Sequence, residues 1–270
     1  MTALLLGAVV GLILALTGAG GGILAVPLLV FGLHLTVMQA APVGLIAVGS
    51  AAFVGAMLGL REGVVRYRAA AVIGVSGMLL APLGVLMARH APNAPLLIGF
   101  AVVLAYSALR MYRQTLRGST TQTTQQTQLP CVLNADEGRL RWTAPCAWAL
   151  AGTGAVSGVL SGLLGVGGGF VIVPSLSRFT NLQMRSIVAT SLAVIALVSV
   201  GGVAGAAAQG QVAWGIAMPF AAGAVVALLA GRRLAARVAG ARLQQVFAIV
   251  SGAVALLMLA KGLLSLSTLA

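Results

Sequence analysis

An internal repeat constrains this chain more than any other feature of its sequence. When the sequence is compared with itself at an offset of 147 residues, matches run through both halves without a gap. The clearest match is a glycine cluster followed by Val-Pro, since residues 18–27 read GAGGGILAVP and residues 165–174 read GVGGGFVIVP. Other matched pairs continue to the end of each half, for example Leu45 and Leu192, Gly55 and Gly202, Gly63 and Gly210, Phe100 and Phe247, and Met111 and Met258. We therefore predict two homologous repeats, in residues 1–113 and 146–270, joined by a polar linker at 114–145.

Each half carries four apolar segments, and together they exclude a soluble globular protein. Hydrophobic residues make up 60% of the chain and charged residues only 7%, against roughly a quarter charged in ordinary soluble domains. A bilayer crossing needs about 20 apolar residues, so the chain is a polytopic membrane protein. The predicted segments are Leu4–Leu33, Ala40–Leu60, Ala69–Ala88 and Pro95–Tyr112, and then Cys146–Leu176, Ser186–Ala208, Gly215–Ala235 and Leu243–Leu264.

The first segment of each half is too long for one crossing, too short for two, and interrupted by the glycine cluster. If each first segment crosses once, the 16 Lys and Arg residues divide 9 to 7 between the two sides. If each enters and leaves on one side as a hairpin of two half-helices, the division becomes 14 to 2, with only Arg89 and Lys261 outside. Because basic loops stay in the cytoplasm, we favour the second arrangement. The predicted fold is an all-α polytopic membrane protein with two inverted-topology repeats, each a Gly-broken re-entrant helical hairpin plus three transmembrane helices. Both termini are then outside and the linker is cytoplasmic.

The two glycine clusters are candidates for the wall of a binding cavity. Irregular backbone at membrane depth is stable only where protein buries it or where it lines a hydrated cavity. The half-helix after each cluster points free N–H groups and the positive end of its dipole at the turn, which favours an anion. Broken helices at matching positions of two inverted halves are typical of transporter binding sites. The alternative is that the glycines serve only close helix packing.

These motifs resemble those of the sulfite exporter TauE/SafE family, also called the 4-toluene sulfonate uptake permease family. The resemblance rests on the doubled run of glycines into an apolar Val-Pro segment, and on the similarity of residues 187–192, Ile-Val-Ala-Thr-Ser-Leu, to the family's Ala-x-x-Thr-Ser-Leu motif. It implies a bacterial inner-membrane transporter of small sulfur-containing anions such as sulfite or sulfonates. The first-half counterparts of Thr190 and Ser191 are Val43 and Gly44, so hydroxyl contacts to a substrate would be confined to the second half.

Four hydroxyl residues lie near the breaks or in the second motif, namely Thr17, Ser161, Thr190 and Ser191. Each of them either contacts substrate or bonds its own helix. The other hydroxyls at membrane depth, among them Ser157 and Ser199, are expected to bond the carbonyl one turn back. The predicted substrate-binding set is Thr17, Gly18, Gly20, Gly21, Gly22, Pro27, Ser161, Gly165, Gly167, Gly168, Gly169, Pro174, Thr190 and Ser191.

Acidic and metal-binding side chains are few, and the sequence predicts neither a cofactor nor a metal. Glu62, Asp136 and Glu137 all lie in predicted loops, so no carboxylate in the membrane can relay protons or bind sodium. Cys131 and Cys146 make neither a disulfide framework nor a metal set. We expect them to be a loop thiol and a small apolar residue at a helix start.

Two other functions compete with transport. Residues 74–77 read Gly-Val-Ser-Gly, which matches the nucleophile motif of intramembrane serine hydrolases, but no histidine falls inside any segment to act as a base. A passive anion channel shares the predicted architecture. The net charge of +13 does not indicate nucleic acid, because the basic residues sit in short loops where they set topology. The expected partners are a small anion and the lipid bilayer, and the sequence leaves open whether copies form a homo-oligomer.

Overall fold

A computed structural model describes residues 1–17, 21–116, 131, 133–134, 139–140, 143–180, 182–210, 212–238 and 241–267. Ten α-helices occupy most of these residues, and a two-residue antiparallel pair of strands lies in the linker. The helices are α1 Thr2–Thr17, α2 Ala25–Gly32, α3 Val37–Arg61, α4 Tyr67–His90, α5 Asn93–Leu116, α6 Ala144–Leu164, α7 Gly169–Phe179, α8 Met184–Ala208, α9 Trp214–Val238 and α10 Ala241–Ser267. A 3₁₀ turn at Gly21–Leu24 precedes α2, and the strands are β1 Leu133–Asn134 and β2 Arg139–Leu140.

Several helices are long and apolar enough to cross a membrane. In the described residues five reach this length, namely α3, α4, α6, α8 and the Trp214–Arg232 part of α9. Helices α5 and α10, which the sequence predicts to be full crossings, have 24 and 27 residues, and the apolar stretches found in them are Ala94–Arg110 and Ala248–Leu264. In contrast, α6 is longer than the half-helix expected there, with 21 residues before the glycine turn. The chain is therefore a multi-pass, all-helical membrane protein.

Matched residues of the two repeats end matched helices in the same way. The repeat pair Gly63 and Gly210 follow α3 and α8, with φ of 69° and 66°. Glycine adopts this left-handed conformation without a steric penalty, so it commonly stands just after a helix end. At its other end α3 begins with a reciprocal cap, in which Gln39 N–H donates to the Thr36 hydroxyl and Thr36 N–H donates to the Gln39 side chain.

The helices pack in pairs, and each pair takes one helix from each repeat. Helix α1 packs on α9, and its counterpart α6 packs on α4, the counterpart of α9. Glycines bring the backbones together, since a Cβ at Gly11 would meet the Ala224 carbonyl and a Cβ at Gly158 would meet the Gly77 carbonyl. Small residues allow the close approach that gives membrane helices their packing energy.

Helices α3 and α8, which are equivalent in the two repeats, pack against each other in opposite directions. Gly49 of α3 contacts Ser199 of α8, whereas Gly59, farther along α3, contacts Ala189, which comes earlier in α8. Helices α5 and α10 form a second pair of repeat equivalents packed together. The two repeats are thus interleaved around the α3–α8 contact.

The chain reverses direction at both glycine clusters. In the first repeat Gly21 lies against Leu14 and Gly32 against Leu6, so α2 runs back along α1. In the second repeat Gly168 lies against Ser157, and α7 then runs back along α6. We call these two units the first hairpin (residues 2–32) and the second hairpin (residues 144–179).

The base of the second hairpin is tied by a disulfide between Cys131 and Cys146. The prediction that these residues are a loop thiol and a small apolar residue is therefore wrong. The linker folds back onto the end of α7, where Cys131 N–H donates to the Phe179 carbonyl at 3.2 Å and the residue pairs with Thr180. This fold-back places Cys131 beside the start of α6, and nothing in the polar composition of the linker indicates it.

Candidate functional site: the meeting point of two glycine turns

The two glycine turns lie against each other in the protein interior. A Cβ built on Gly22 would lie 2.7 Å from the Val166 carbonyl oxygen and 3.0 Å from a Val48 methyl. A Cβ on Gly167 would lie 2.9 Å from Ile195 and 3.2 Å from the same Val48 side chain. Val48 and Ile195 occupy equivalent positions in α3 and α8. The turns therefore meet at the middle of the α3–α8 pair, where substitution by any larger residue would displace a neighbour.

The second turn uses glycine for its backbone conformation as well as for space. Gly165, Gly167 and Gly168 have φ of 72°, 74° and 70°, values that cost other residues on the order of 1 kcal/mol or more. Gly165 ends α6 and its N–H donates to the Ser161 carbonyl at 2.7 Å. Gly168 is the N-cap of α7, and its carbonyl accepts a bond from the Ser157 hydroxyl at 3.2 Å. The hydroxyl of Ser157 thus holds the turn and does not bond one turn back along α6 as expected.

The first turn is described from residue 21 onwards. Gly21 and Gly22 lie in the buried 3₁₀ turn, and the Thr17 hydroxyl donates to the Ile13 carbonyl at 2.7 Å. Pro27 is buried in α2, while Pro174 is half-buried in α7. The predicted site residues Gly18 and Gly20 lie outside the described residues.

Thr190 and Ser191 are buried in α8 but lie one to two turns from the meeting point, towards the start of that helix. The Thr190 hydroxyl accepts a bond from the Arg66 N–H at 3.1 Å, across the interface between the repeats. The Ser191 hydroxyl donates to the Ile187 carbonyl at 2.8 Å. These two residues are thus close to the predicted site without sharing it with the glycines.

Comparison with known proteins identifies the family. A model of the family described as "Sulfite exporter TauE/SafE" matches residues 3–258. The chain belongs to the sulfite exporter TauE/SafE family. Two relatives, each called "Probable membrane transporter protein", come from Xylella fastidiosa strains 9a5c and Temecula1 / ATCC 700964. Each is 28% identical over 253 residues, which cover 93% of this chain and 91% of the relative. No solved structure matches the chain.

A charged cluster in this TauE/SafE chain joins the two repeats at one end of the α3–α8 pair. Glu62, just after α3, forms ion pairs with Arg185 at 2.9 Å and with Arg232 at 2.8 Å. Arg232 also donates to the Gly55 carbonyl. Beside the cluster the Ser186 hydroxyl donates to the Val64 carbonyl at 2.6 Å. The predicted topology puts Glu62 and Arg185 in loops on the same side of the membrane, but nothing in the sequence indicates that they pair.

Two serines beside the second glycine turn, Ser157 and Ser199, are predicted from the sequence only as ordinary helical hydroxyls. Ser157 stabilises the glycine turn, as described above. Ser199 lies in the middle of α8 with its Oγ 3.9 Å from the Cβ position of Gly167. The repeat comparison does distinguish these two serines, since the equivalent residues of the first repeat are apolar, Val10 and Ala52.

Apolar side chains and a narrow gap surround the turns. The gap lies between the tips of both hairpins and α5, and it has no room for a water molecule. Its lining includes Ile23, Val166, Phe170 and Phe100. Among the described residues no group of His, Cys, Asp and Glu side chains could hold a metal ion. The chemical character of this region thus comes from backbone N–H groups and serine hydroxyls in an apolar setting.

The serine of the hydrolase-like motif is engaged in helix structure. The Ser76 hydroxyl donates to the carbonyls of Val72 and Ile73, at 2.8 and 3.1 Å. It lies at the α4–α6 contact, where Gly154 makes room for it. Close packing between α4 and α6 therefore accounts for the Gly-x-Ser-Gly pattern.

Proposed function

We propose that this membrane transporter carries small sulfur-containing anions, such as sulfite or sulfonates, and binds them where its two glycine turns meet. The observation that carries the proposal is the contact between Gly22 and the Val166 carbonyl, which brings the starts of the returning half-helices to one place. A helix N-terminus offers unpaired N–H groups and a positive dipole end to an anion. The family membership supports sulfur oxyanions as the class of substrate.

We also propose that the two repeats have inverted topology. One hairpin then enters and leaves the membrane on the outer side, and the other enters and leaves it on the cytoplasmic side. The antiparallel packing of the equivalent helices α3 and α8 supports the inversion. The return of α2 along α1 and of α7 along α6 supports the hairpins. Under this arrangement the Glu62 cluster lies at the cytoplasmic end, where the charge distribution of the loops places most of the arginines.

The structure is closed around the two glycine turns, because residues 21–27 and 164–169 are buried throughout. Transport then requires that the repeats move relative to each other to open the meeting point to each side in turn. No carboxylate lies within the described helices away from their ends. Movement of the anion is therefore driven by its gradient, by the membrane potential, or by a proton that the weakly acidic substrate itself carries.

A flux assay tests the proposal. Purified protein in proteoliposomes is given sulfite, methanesulfonate, 4-toluenesulfonate, sulfate and acetate, with empty liposomes as the control. We expect saturable uptake of sulfite or a sulfonate, and much slower uptake of acetate. Uptake that rises linearly with concentration would indicate a channel, and uptake of none of the sulfur anions would contradict the proposed substrate class.

A further inference from the structure

Two buried serine hydroxyls beside the second glycine turn have no hydrogen-bond partner in the described part of the chain. They belong to Ser161 of α6 and Ser199 of α8, whose exposed fractions are 0% and 3%. Other hydroxyls in these helices have partners, since Thr153 and Ser191 donate to a carbonyl one turn back and Ser157 donates to the Gly168 carbonyl. Leaving a buried polar group unpaired is costly, so such a group beside a turn that favours an anion is suited to bind one.

Ser199 points towards the left-handed turn that precedes α7. Its Oγ lies 3.9 Å from the Cβ position of Gly167. Gly49 on α3 makes room for the serine, because a Cβ there would lie 2.5 Å from the Ser199 Cβ and 3.0 Å from its Oγ. Ser161 stands one turn before the end of α6, and its carbonyl holds the N–H of Gly165, the first residue of the same turn.

The turn leads directly into the N-terminus of α7. This helix has 11 residues, and no side chain caps its first turn. The unsatisfied N–H groups of a first turn and the helix dipole together favour an anion. A serine hydroxyl is a hydrogen-bond donor as well, so Ser199 beside the turn, and Ser161 one helical turn before it, add donors of the same kind.

The first repeat offers no equivalent set of hydroxyls. The counterparts of Ser157, Ser161 and Ser199 are Val10, Leu14 and Ala52, which are apolar and at most 1% exposed. The donor groups of the meeting point are therefore concentrated on the second repeat.

From this arrangement we infer that Ser199 and Ser161 contact the transported anion and that the second hairpin holds it. The inference rests on the proposed function and adds to it the side chains that bind and a ligand class. The ligand is an oxyanion small enough for a closely packed turn, with several acceptor oxygens to pair two hydroxyls and the N–H groups of α7. A sulfite or a sulfonate head group has this chemistry.

The test is equilibrium binding to purified full-length protein in lipid nanodiscs. The probes are radiolabelled sulfite and radiolabelled methanesulfonate, and binding is counted only where unlabelled anion displaces it. The variants are S199A and S161A, and the matched control is S251A, because Ser251 of α10 is also buried, 2% exposed, and without a partner in the described residues. Alanine is the residue already present at position 52, the counterpart of 199, so we expect S199A to fold.

We expect S199A and S161A each to weaken binding roughly tenfold or more, as is usual for a lost hydrogen bond to a charged ligand. S251A should bind as the wild type does, and all three variants should keep the wild-type thermal unfolding midpoint. If S199A does not fold, S199C takes its place, since it keeps the volume and replaces a strong donor by a weak one.

The outcomes separate this inference from the proposed function. Wild-type protein that binds neither probe would overturn the proposed function, and the inference with it. Wild-type protein that binds a probe, with S199A and S161A binding equally well, would overturn the inference alone. An equal loss in S251A would also overturn it, because the effect would then be one of packing.

Discussion

The two hairpins descend from one sequence pattern, yet they differ in how they hold their turns. The second has three glycines with positive φ and a serine that bonds the turn, and a disulfide ties its base. The first has a 3₁₀ turn before α2, where Gly21 lies against the backbone of Leu14 and Gly22 against the Val48 side chain. A doubled motif therefore need not make a doubled site. In the proposed site the second hairpin supplies serine and backbone donors, whereas the described part of the first turn, residues 21–24, supplies close packing.

If the hairpins open to opposite sides of the membrane, equivalent residues at their bases must face opposite compartments. Thr36 and Gln183 are such a pair, since both are exposed and precede α3 and α8. In protein with Cys131 and Cys146 replaced by serine, T36C should react fully with an impermeant thiol reagent outside intact cells. Q183C should react only after the cells are opened, so the expected difference is all or none. Labelling of both from the same side would rule out inverted repeats.

The native cysteines check the same orientation independently. With the linker in the cytoplasm, Cys131 and Cys146 face a compartment that keeps thiols reduced. Because both residues are buried, growing cells are denatured in acid and alkylated at once; we expect both thiols to be free there, and the disulfide seen in the structure to form in protein purified in air. A pair that is already oxidised in cells would place the linker, and the base of the second hairpin, in an oxidising compartment.

A methyl group added to the second turn should have the next largest effect. Gly168 has φ of 70° and lies against Ser157, so G168A strains the backbone and displaces a neighbour together. We expect a loss of about 1–3 kcal/mol in stability, as for other strained backbone positions, and a transport rate reduced tenfold or more. G21A should also impair transport, because its Cβ would meet the backbone of Leu14.

The control for these variants is G99A in α5, where a Cβ would meet nothing within 4 Å. Thermal unfolding and proteoliposome flux are measured for all three. If G168A unfolds and transports as G99A does, the glycines of the second turn are not needed for its conformation.

Most of the fold could be predicted from the sequence, because long apolar runs and turn glycines act locally. The predicted segment Ala40–Leu60 is α3 to within a few residues, and the break after Leu164 lies at the predicted cluster. The disulfide could not be predicted, because it depends on the linker folding back onto Phe179. The surroundings of Ser199 could not be predicted either, since they come from Gly49 and Gly167 on other segments. Contacts between distant segments depend on tertiary packing, which the repeat pattern indicates only in outline.

The second repeat should respond unequally to loss of its two neighbouring hydroxyls. T190V leaves the Arg66 N–H at the start of α4 without the acceptor it has now, which we expect to cost about 1–2 kcal/mol. S191A removes only a bond to its own helix, with an expected cost below about 0.5 kcal/mol. Transport should therefore fall severalfold in T190V and little in S191A, as measured by flux and by thermal unfolding. The opposite order would mean that Ser191 contacts the substrate when the transporter opens.

The smallest effect is expected where the repeats are joined by charge. Glu62 pairs with Arg185 and Arg232, but its side chain is 39% exposed, and those of the arginines are 72% and 30% exposed. Exposed pairs of this kind contribute about 0.2–1 kcal/mol each, because water screens them and the side chains lose freedom. E62Q keeps an oxygen that can accept from one arginine, so stability should fall by no more than about 1 kcal/mol and transport by less than about twofold. E62A, which keeps no acceptor, should be slightly worse, and added salt should narrow the gap between both variants and the wild type. Abolition of transport in E62Q, at normal stability, would show that the carboxylate carries protons or gates the pathway, and that coupling does not rest on the anion alone.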